Sequence, residues 1–244
     1  MEYVTLNNEV KCPVVGIGTF MLSPAEAENS VREALKMGYS LVDTANAYVN
    51  ERACGRGMKD SGLKREDIFL STKLWPSEYE NDNAVDETLE RLGVDYVDLL
   101  YIHQPAGNWL AGYRQLEKAY KEGKAKSIGI SNFEGKYIEE LAYKWEIVPQ
   151  FIQVEAHPYF TQKELRKILD KYDIWKALLT DCRRITWMLH KYPNVVPIPG
   201  SKNKERIVEN LDSSKVELTD AEFTGLEETL SGLKVYGHRG LGGF

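Results

Sequence analysis

Ile68-Phe69-Leu70-Ser71-Thr72-Lys73 is a short apolar run that closes on a charge. A run of this kind reads as a buried strand, and a charged residue at its C-terminal end sits at the rim of a sheet or barrel. The pattern repeats in both directions. Upstream, Leu41-Val42 is closed by Asp43, with Tyr48 five positions on; downstream, Val97-Asp98-Leu99-Leu100-Tyr101-Ile102 is closed by His103. Any one of these residues could simply end a strand in a solvated loop. An acid, a phenol, an amine and an imidazole gathered at one rim instead suggest proton transfer, because catalytic groups of a (β/α)8 barrel lie there.

Further strand-like runs begin near Val14, Ser127, Phe151 and Val195. From Val14 to Phe151 successive starts lie 24 to 30 residues apart, about one βα unit. Helical segments fill the gaps. Ser23-Pro24-Ala25-Glu26 is a capping box with proline at the first helical position, predicting a helix to about Met37 that Gly38 stops. Ser77–Leu92, Trp109–Glu122 and Gly135–Lys144 read as further helices, with Gly93 and Gly123 closing two of them. Strict alternation requires a parallel sheet covered on its faces, hence a barrel or a doubly wound sheet.

Two features favour the barrel. Tyr3–Leu6, Asn7-Asn8 and Glu9–Lys11 predict a hairpin able to plug a barrel bottom. The polar strand ends (Asp43, Lys73, His103, Ser131-Asn132, Gln153–Glu155) converge on one pocket only if the strands close into a ring. Gly16-Ile17-Gly18 lacks the third glycine and the acidic residue of a dinucleotide fingerprint, so it is set aside.

Composition limits the remaining choices. With 43% hydrophobic residues in 244, the chain can bury one large core or two small ones, and no linker or charge run divides it, so 1–244 reads as a single domain. A net charge of −6 argues against a nucleic-acid surface. Cys12, Cys54 and Cys182 are scattered and odd in number, which argues for a reducing compartment and against disulfides or zinc. The start lacks a secretory pattern, and no apolar stretch approaches the ~18 residues of a membrane span. The expectation is a cytoplasmic monomer that takes a small-molecule partner and neither nucleic acid nor membrane.

The chain resembles the aldo-keto reductase family, in its small bacterial form. The resemblance rests on Gly16-Ile17-Gly18-Thr19-Phe20, Val42-Asp43-Thr44-Ala45-Asn46-Ala47-Tyr48, Ser71-Thr72-Lys73-Leu74-Trp75, Asp98-Leu99-Leu100-Tyr101-Ile102-His103, Gly129-Ile130-Ser131-Asn132-Phe133 and Ile198-Pro199-Gly200-Ser201 through Glu209-Asn210. It implies a (β/α)8 barrel that reduces aldehydes and ketones with NADPH. Tyr48 matches the proton donor. Lys73, paired with Asp43, would lower the phenol's pKa from about 10, and His103 would orient the carbonyl oxygen. Ser131, Asn132 and Gln153 match the nicotinamide carboxamide contacts, and Thr19 a residue near its ribose. Ser201, Lys202 and Arg206 open a helix as a basic loop suited to the 2′-phosphate, while Glu209 and Asn210 match the adenine contacts. Phe20, Trp75 and Trp109 match aromatics of the substrate mouth, which should admit small carbonyls.

Two departures stand out. Gly200 occupies a position where the family usually has a cation, with Lys202 the nearest replacement. After the sixth helix, only residues 173–194 remain to supply a strand, a helix and a cofactor loop. With strands of ~5 residues and loops of 2–6, that leaves nothing for the loop. The seventh βα unit is therefore expected to be truncated or missing, with further residues belonging between Asp173 and Arg184 in a functional chain longer than 244, and Trp175 the remnant of a nicotinamide-stacking aromatic. The alternative to a working reductase is a catalytically weak or inactive reductase-like barrel serving as a binding or structural protein. A lyase or isomerase acting on phosphorylated substrates would leave Tyr48 and Lys73 unexplained.

Overall fold

A computed structural model describes residues 2–156, 160–179, 185–192 and 195–232. Strands β1 (Tyr3–Thr5) and β2 (Lys11–Pro13) pair antiparallel, with Val4 opposite Cys12. This is the predicted hairpin, except that its second strand starts at Lys11. Glu9 takes a left-handed conformation (φ 69°) and its amide closes a turn onto the Leu6 carbonyl at 2.9 Å, which delays the strand.

Eight strands follow in one parallel sheet, each paired to the next: β3 (Ile17–Gly18), β4 (Leu41–Asp43), β5 (Phe69–Leu74), β6 (Leu99–Ile102), β7 (Ile128–Ser131), β8 (Phe151–Glu155), β9 (Trp175–Leu179) and β10 (Val195–Pro197). The ring closes at a seam between the first and last of these. Gly16 and Gly18 donate their amides to the Pro197 and Pro199 carbonyls, both at 3.0 Å, and Gly18 bridges Gly200. Glycine is required at this seam. A Cβ on Gly18 would stand 2.9 Å from the Ile198 carbonyl oxygen, closer than real Cβ contacts allow. The Gly16-Ile17-Gly18 run thus closes a barrel.

Helices α1 (Pro24–Lys36), α2 (Glu51–Ser61), α3 (Ala84–Leu92), α4 (Trp109–Lys121), α5 (Gly135–Ala142), α6 (Lys163–Lys171), α7 (Ile185–Lys191), α8 (Lys204–Ser213) and α9 (Asp220–Gly232) complete the described elements. Both halves of the Ser23/Glu26 capping box form, and Gly38 stops α1 at φ 106°. The helix read over Ser77–Leu92 divides instead. A short 3-10 turn occupies Pro76–Glu78, and α3 starts only at Ala84. Asn81 and Asn83 lie between them, and Asn81 Oδ1 accepts the Asn83 amide at 3.1 Å, the local competition by which asparagine interrupts a helix.

The seventh unit is the truncated one expected, not a missing one: β9 pairs with β8 from Trp175–Phe151 to Leu179–Glu155 and with β10 on its other side. A five-residue strand and a seven-residue helix fit in the available length.

The main core lies between the ring and its helices. A second core fills the barrel floor, where Leu6 and Cys12 of the hairpin pack against Leu41, Phe69, Leu99, Tyr101, Phe151, Val196 and Ile198. Each such buried side chain contributes about 1.5–3 kcal/mol. The floor is sealed, so the C-terminal rim is the open end. No helix among the described residues is long and apolar enough to cross a membrane.

Candidate active site

Side chains alternate along a strand, so Ser71 and Lys73 of β5 share a face. Both turn toward Asp43 at the end of β4. Lys73 is fully buried, its Nζ 2.6 Å from Asp43 Oδ2 and 2.7 Å from the Thr44 carbonyl oxygen. Ser71 Oγ and Gln153 Nε2 donate to the other carboxylate oxygen at 2.7 and 3.1 Å. A buried ion pair persists only when its remaining hydrogen-bonding positions are filled, and removing one partner costs about 3–5 kcal/mol. Here β4, β5 and β8 together fill them.

Tyr48 ends a 3-10 turn over Asn46–Tyr48 and is partly exposed. The Lys73 ammonium lies 5.0 Å from its ring centre. The ring packs 5.1 Å from Phe20 and, edge-on, 5.6 Å from His103. Trp75 meets His103 at 4.9 Å. The other end of the turn is fixed where Asn46 Oδ1 accepts the Trp75 amide at 3.0 Å.

Burial raises the Tyr48 pKa above its ordinary value, and the opposing effect of Lys73 does not cancel it. The sequence pointed to a lowered value; desolvation outweighs the ammonium. Burial also works to discharge Lys73, but Asp43 and Tyr48 overcome it, and the net shift is upward. His103 is pushed down to about 3 by burial and the nearby ammonium, so its imidazole is neutral around pH 7. Its buried Nδ1 has no hydrogen-bond partner.

Ser131 ends β7 and Asn132 follows it, beside this cluster. Asn132 adopts a left-handed φ of 62°, and its side-chain Nδ2 donates to the His103 carbonyl at 3.0 Å and to Ser131 Oγ at 3.1 Å. Gln153 is buried with its Oε1 unpartnered. Asn210 of α8 is buried with neither side-chain polar atom partnered, while Glu209 is exposed. Such orphaned buried atoms suit a polar ligand, since leaving them unpaired costs about 1–3 kcal/mol each.

At the α8 start, Asn203 Oδ1 caps the helix by accepting the Arg206 amide at 2.9 Å, and Ser201 Oγ accepts the Asn203 amide at 3.1 Å. Lys202 and Lys204 pair with Glu26 and Glu33 of α1 at 2.7 and 3.1 Å. Arg206 is exposed.

Three further residues read from the sequence take different places: Thr19 at the rim, Trp109 beside Phe133, and Trp175 at the opposite end of the barrel. Thr19 is fully buried, its hydroxyl 3.1 Å from the Asp43 carbonyl oxygen, so it braces the rim from within. Trp109, at the start of α4, packs edge-on against Phe133 and Tyr137. Trp175 pairs with Phe151, at the N-terminal end of both strands and opposite the catalytic rim; its side chain lies outside the described residues. Conversely, Ser71 went unread, although its place two residues before Lys73 puts it on the same face. Asn50, which bonds the Thr19 and Leu22 carbonyls and the Thr44 hydroxyl, gave no such signal.

The model of the aldo/keto reductase family matches residues 14–175, ending where β9 begins. The chain is 38% identical to glyoxal reductase of Bacillus subtilis over 253 residues, covering 93% of this chain and 92% of that one. It is 34% identical to morphine 6-dehydrogenase of Pseudomonas putida over 273 residues, at 95% and 92% coverage. Both alignments exceed 244 positions while leaving part of this chain out, so the chain is internally shorter than either relative. The crystal structure of an aldo/keto reductase from Brucella melitensis superimposes with a TM-score of 0.86 at 34% identity, over 93% of this chain and 98% of that one. The ordered motifs, the closed barrel and the rim they share place this oxidoreductase chain in the aldo/keto reductase family.

Proposed function

We propose that the protein reduces small aldehydes and ketones to alcohols with NADPH, and that Tyr48 delivers the proton. The observation that carries this reading is the buried Asp43–Lys73 pair beneath the Tyr48 ring, beside a neutral His103. The nicotinamide, when bound, supplies hydride to the carbonyl carbon. As that carbon is reduced, the carbonyl oxygen gains negative charge, and Tyr48 O–H protonates it. The charged Lys73 stabilises the phenolate left behind, and Asp43 fixes Lys73 in place. Neutral His103 keeps one N–H to orient the oxygen. Phe20 and Trp75 wall the mouth with apolar surface and exclude water.

The residues fit the cofactor. Gln153 Oε1 is a buried acceptor awaiting a donor such as a carboxamide NH2, beside Ser131 and Asn132. Asn210 offers a donor and an acceptor to a base edge, next to Glu209. Ser201, Lys202 and Arg206 at the helix start would hold the 2′-phosphate. The intact Asp43–Lys73–Tyr48 arrangement disfavours a purely structural barrel, since a buried charge pair is costly to keep without use.

The test is absorbance-monitored NADPH oxidation with a panel of small aldehydes. A positioned acid contributes about 10²–10⁴ in rate, so Tyr48→Phe should lower kcat by at least ~100-fold. NADPH affinity, from quenching of protein fluorescence, should stay within about three-fold, because the phenol acts on the transition state. Reduction retained within ten-fold of the parent would remove Tyr48 from the role. Folded parent protein that oxidises NADPH with no aldehyde would move the assignment to a binding protein.

A further inference from the structure

Asparagine just before a helix usually spends its side chain on capping, and Asn50 does not. It sits at the N-cap of α2 with no side-chain cap bond, φ −126° and ψ 8°. Its side chain is instead turned inward, 1% exposed, with its hydrogen-bonding groups in use. Nδ2 donates to the Thr19 carbonyl at 2.9 Å and the Leu22 carbonyl at 3.0 Å. Oδ1 accepts the Thr44 hydroxyl at 2.9 Å. One side chain thus joins the loop after β3 to the end of β4.

Both joined segments serve the site directly. The Thr19–Leu22 loop carries Phe20, whose ring lies against Tyr48. Thr44 offers its carbonyl to Lys73 at 2.7 Å. Tyr48 stands two residues before Asn50. Between them Val49 lies in the left-handed region (φ 57°, ψ 23°), and Met21 on the opposite segment does the same at φ 61°. A β-branched residue there is strained and stays only where its surroundings over-determine it. Val49 has 82% of its surface exposed, so packing of its own side chain does not hold it. Asn50 is the neighbour placed to do so.

We infer that Asn50 is a positioning residue: its clamp on Thr19, Leu22 and Thr44 holds the strained Tyr48–Val49 turn so that the phenol stays beside Lys73. The inference rests on the reading of Tyr48 as proton donor and adds a residue that touches neither substrate nor cofactor. The clamp works against the Val49 strain, so the two positions should be coupled. Losing the clamp lets the turn relax outward, whereas glycine at 49 removes the tendency to relax.

The experiment compares the parent, Asn50→Ala, Val49→Gly and the double variant, at a temperature where circular dichroism shows each folded. Asn50→Ala should lower kcat for aldehyde reduction at least ten-fold, with carbonyl KM and NADPH affinity within about three-fold. Adding Val49→Gly should restore kcat at least three-fold over Asn50→Ala alone. A crystal structure of Asn50→Ala should show the 46–49 turn displaced from its parental position. Should the alanine variant not fold, Asn50→Ser, which keeps a small donor, takes its place. A kcat within three-fold of the parent, or a loss that Val49→Gly leaves untouched, would overturn the clamp. If the parent reduces no carbonyl, the assignment of the site has failed instead, and the clamp is judged on the crystallographic position of the turn: displaced supports it, unmoved overturns it.

Discussion

Lys73 has no exposed side-chain surface, yet it is charged, and its surroundings determine how the site responds to pH. Desolvation alone would discharge it; Asp43 and Tyr48 raise its pKa instead. As the proposed proton donor Tyr48 would act in its protonated form, and burial lifts its pKa above the ordinary 10.0. Reduction should therefore decline only as pH rises through that higher value. Lys73 is the cation that draws the phenol down, so Lys73→Met should lower kcat and move the alkaline limb further up. A limb that moved down would contradict the assigned electrostatics. Burial and the Lys73 ammonium push the His103 pKa down to about 3, so it should contribute no limb to kcat/KM between pH 5 and 8. A limb near 6.5 in the parent that disappears in His103→Gln would show that this imidazole charges in the working range.

At the scale of elements, the start of α8 has a consequence for cofactor choice. Lys202 is exposed and held by Glu26, an interaction of the kind worth about 0–1 kcal/mol, so it can exchange Glu26 for a phosphate at little cost. Arg206 is exposed on the same helix. Arg206→Ala should accordingly weaken NADPH several-fold in fluorescence titration while leaving NADH nearly unchanged, and added salt should narrow the gap. Equal losses for both nucleotides would mean that this cluster does not read the 2′-phosphate. Gly200, at the barrel seam, offers no side chain, and a Cβ there would lie a tight 3.2 Å from the Gly18 carbonyl oxygen. Most strands were legible in the sequence, since a parallel strand buried on both faces reads as an apolar run and a single charge marks its end. The seventh was not. Trp175-Lys176-Ala177-Leu178-Leu179 is rich in helix formers, and it is pairing with β8 and β10 that makes it a strand. Asn50 was illegible for a related reason: its role depends on carbonyls some 30 residues away that the pairing of β3 with β4 brings near.

Across the whole molecule the two ends of the barrel are divided in function. The hairpin and the inner core seal the floor, so that Asp43, Lys73, Tyr48 and His103 meet at the single open rim. The seventh unit of this chain is notably brief. Only five residues, 180–184, separate β9 from α7; they lie outside the described residues, but their number limits their reach to about 17 Å even when fully extended. A lid must leave the direct path from strand to helix, cover the ligand and return, and so short a connection has no length for that. The cofactor loop expected from the family resemblance, closing over the pyrophosphate, should therefore not arise from this connection. Closure and reopening of such lids limit turnover in many enzymes. Stopped-flow mixing with NADPH should accordingly show one fluorescence phase whose rate rises linearly with concentration, with no slower isomerisation after it. The dissociation rate should exceed kcat, leaving hydride transfer to limit turnover, and deuteration of the transferred hydrogen should slow kcat. A slow second phase matching kcat, with no isotope effect, would show that a lid closes over the cofactor despite the shortened unit.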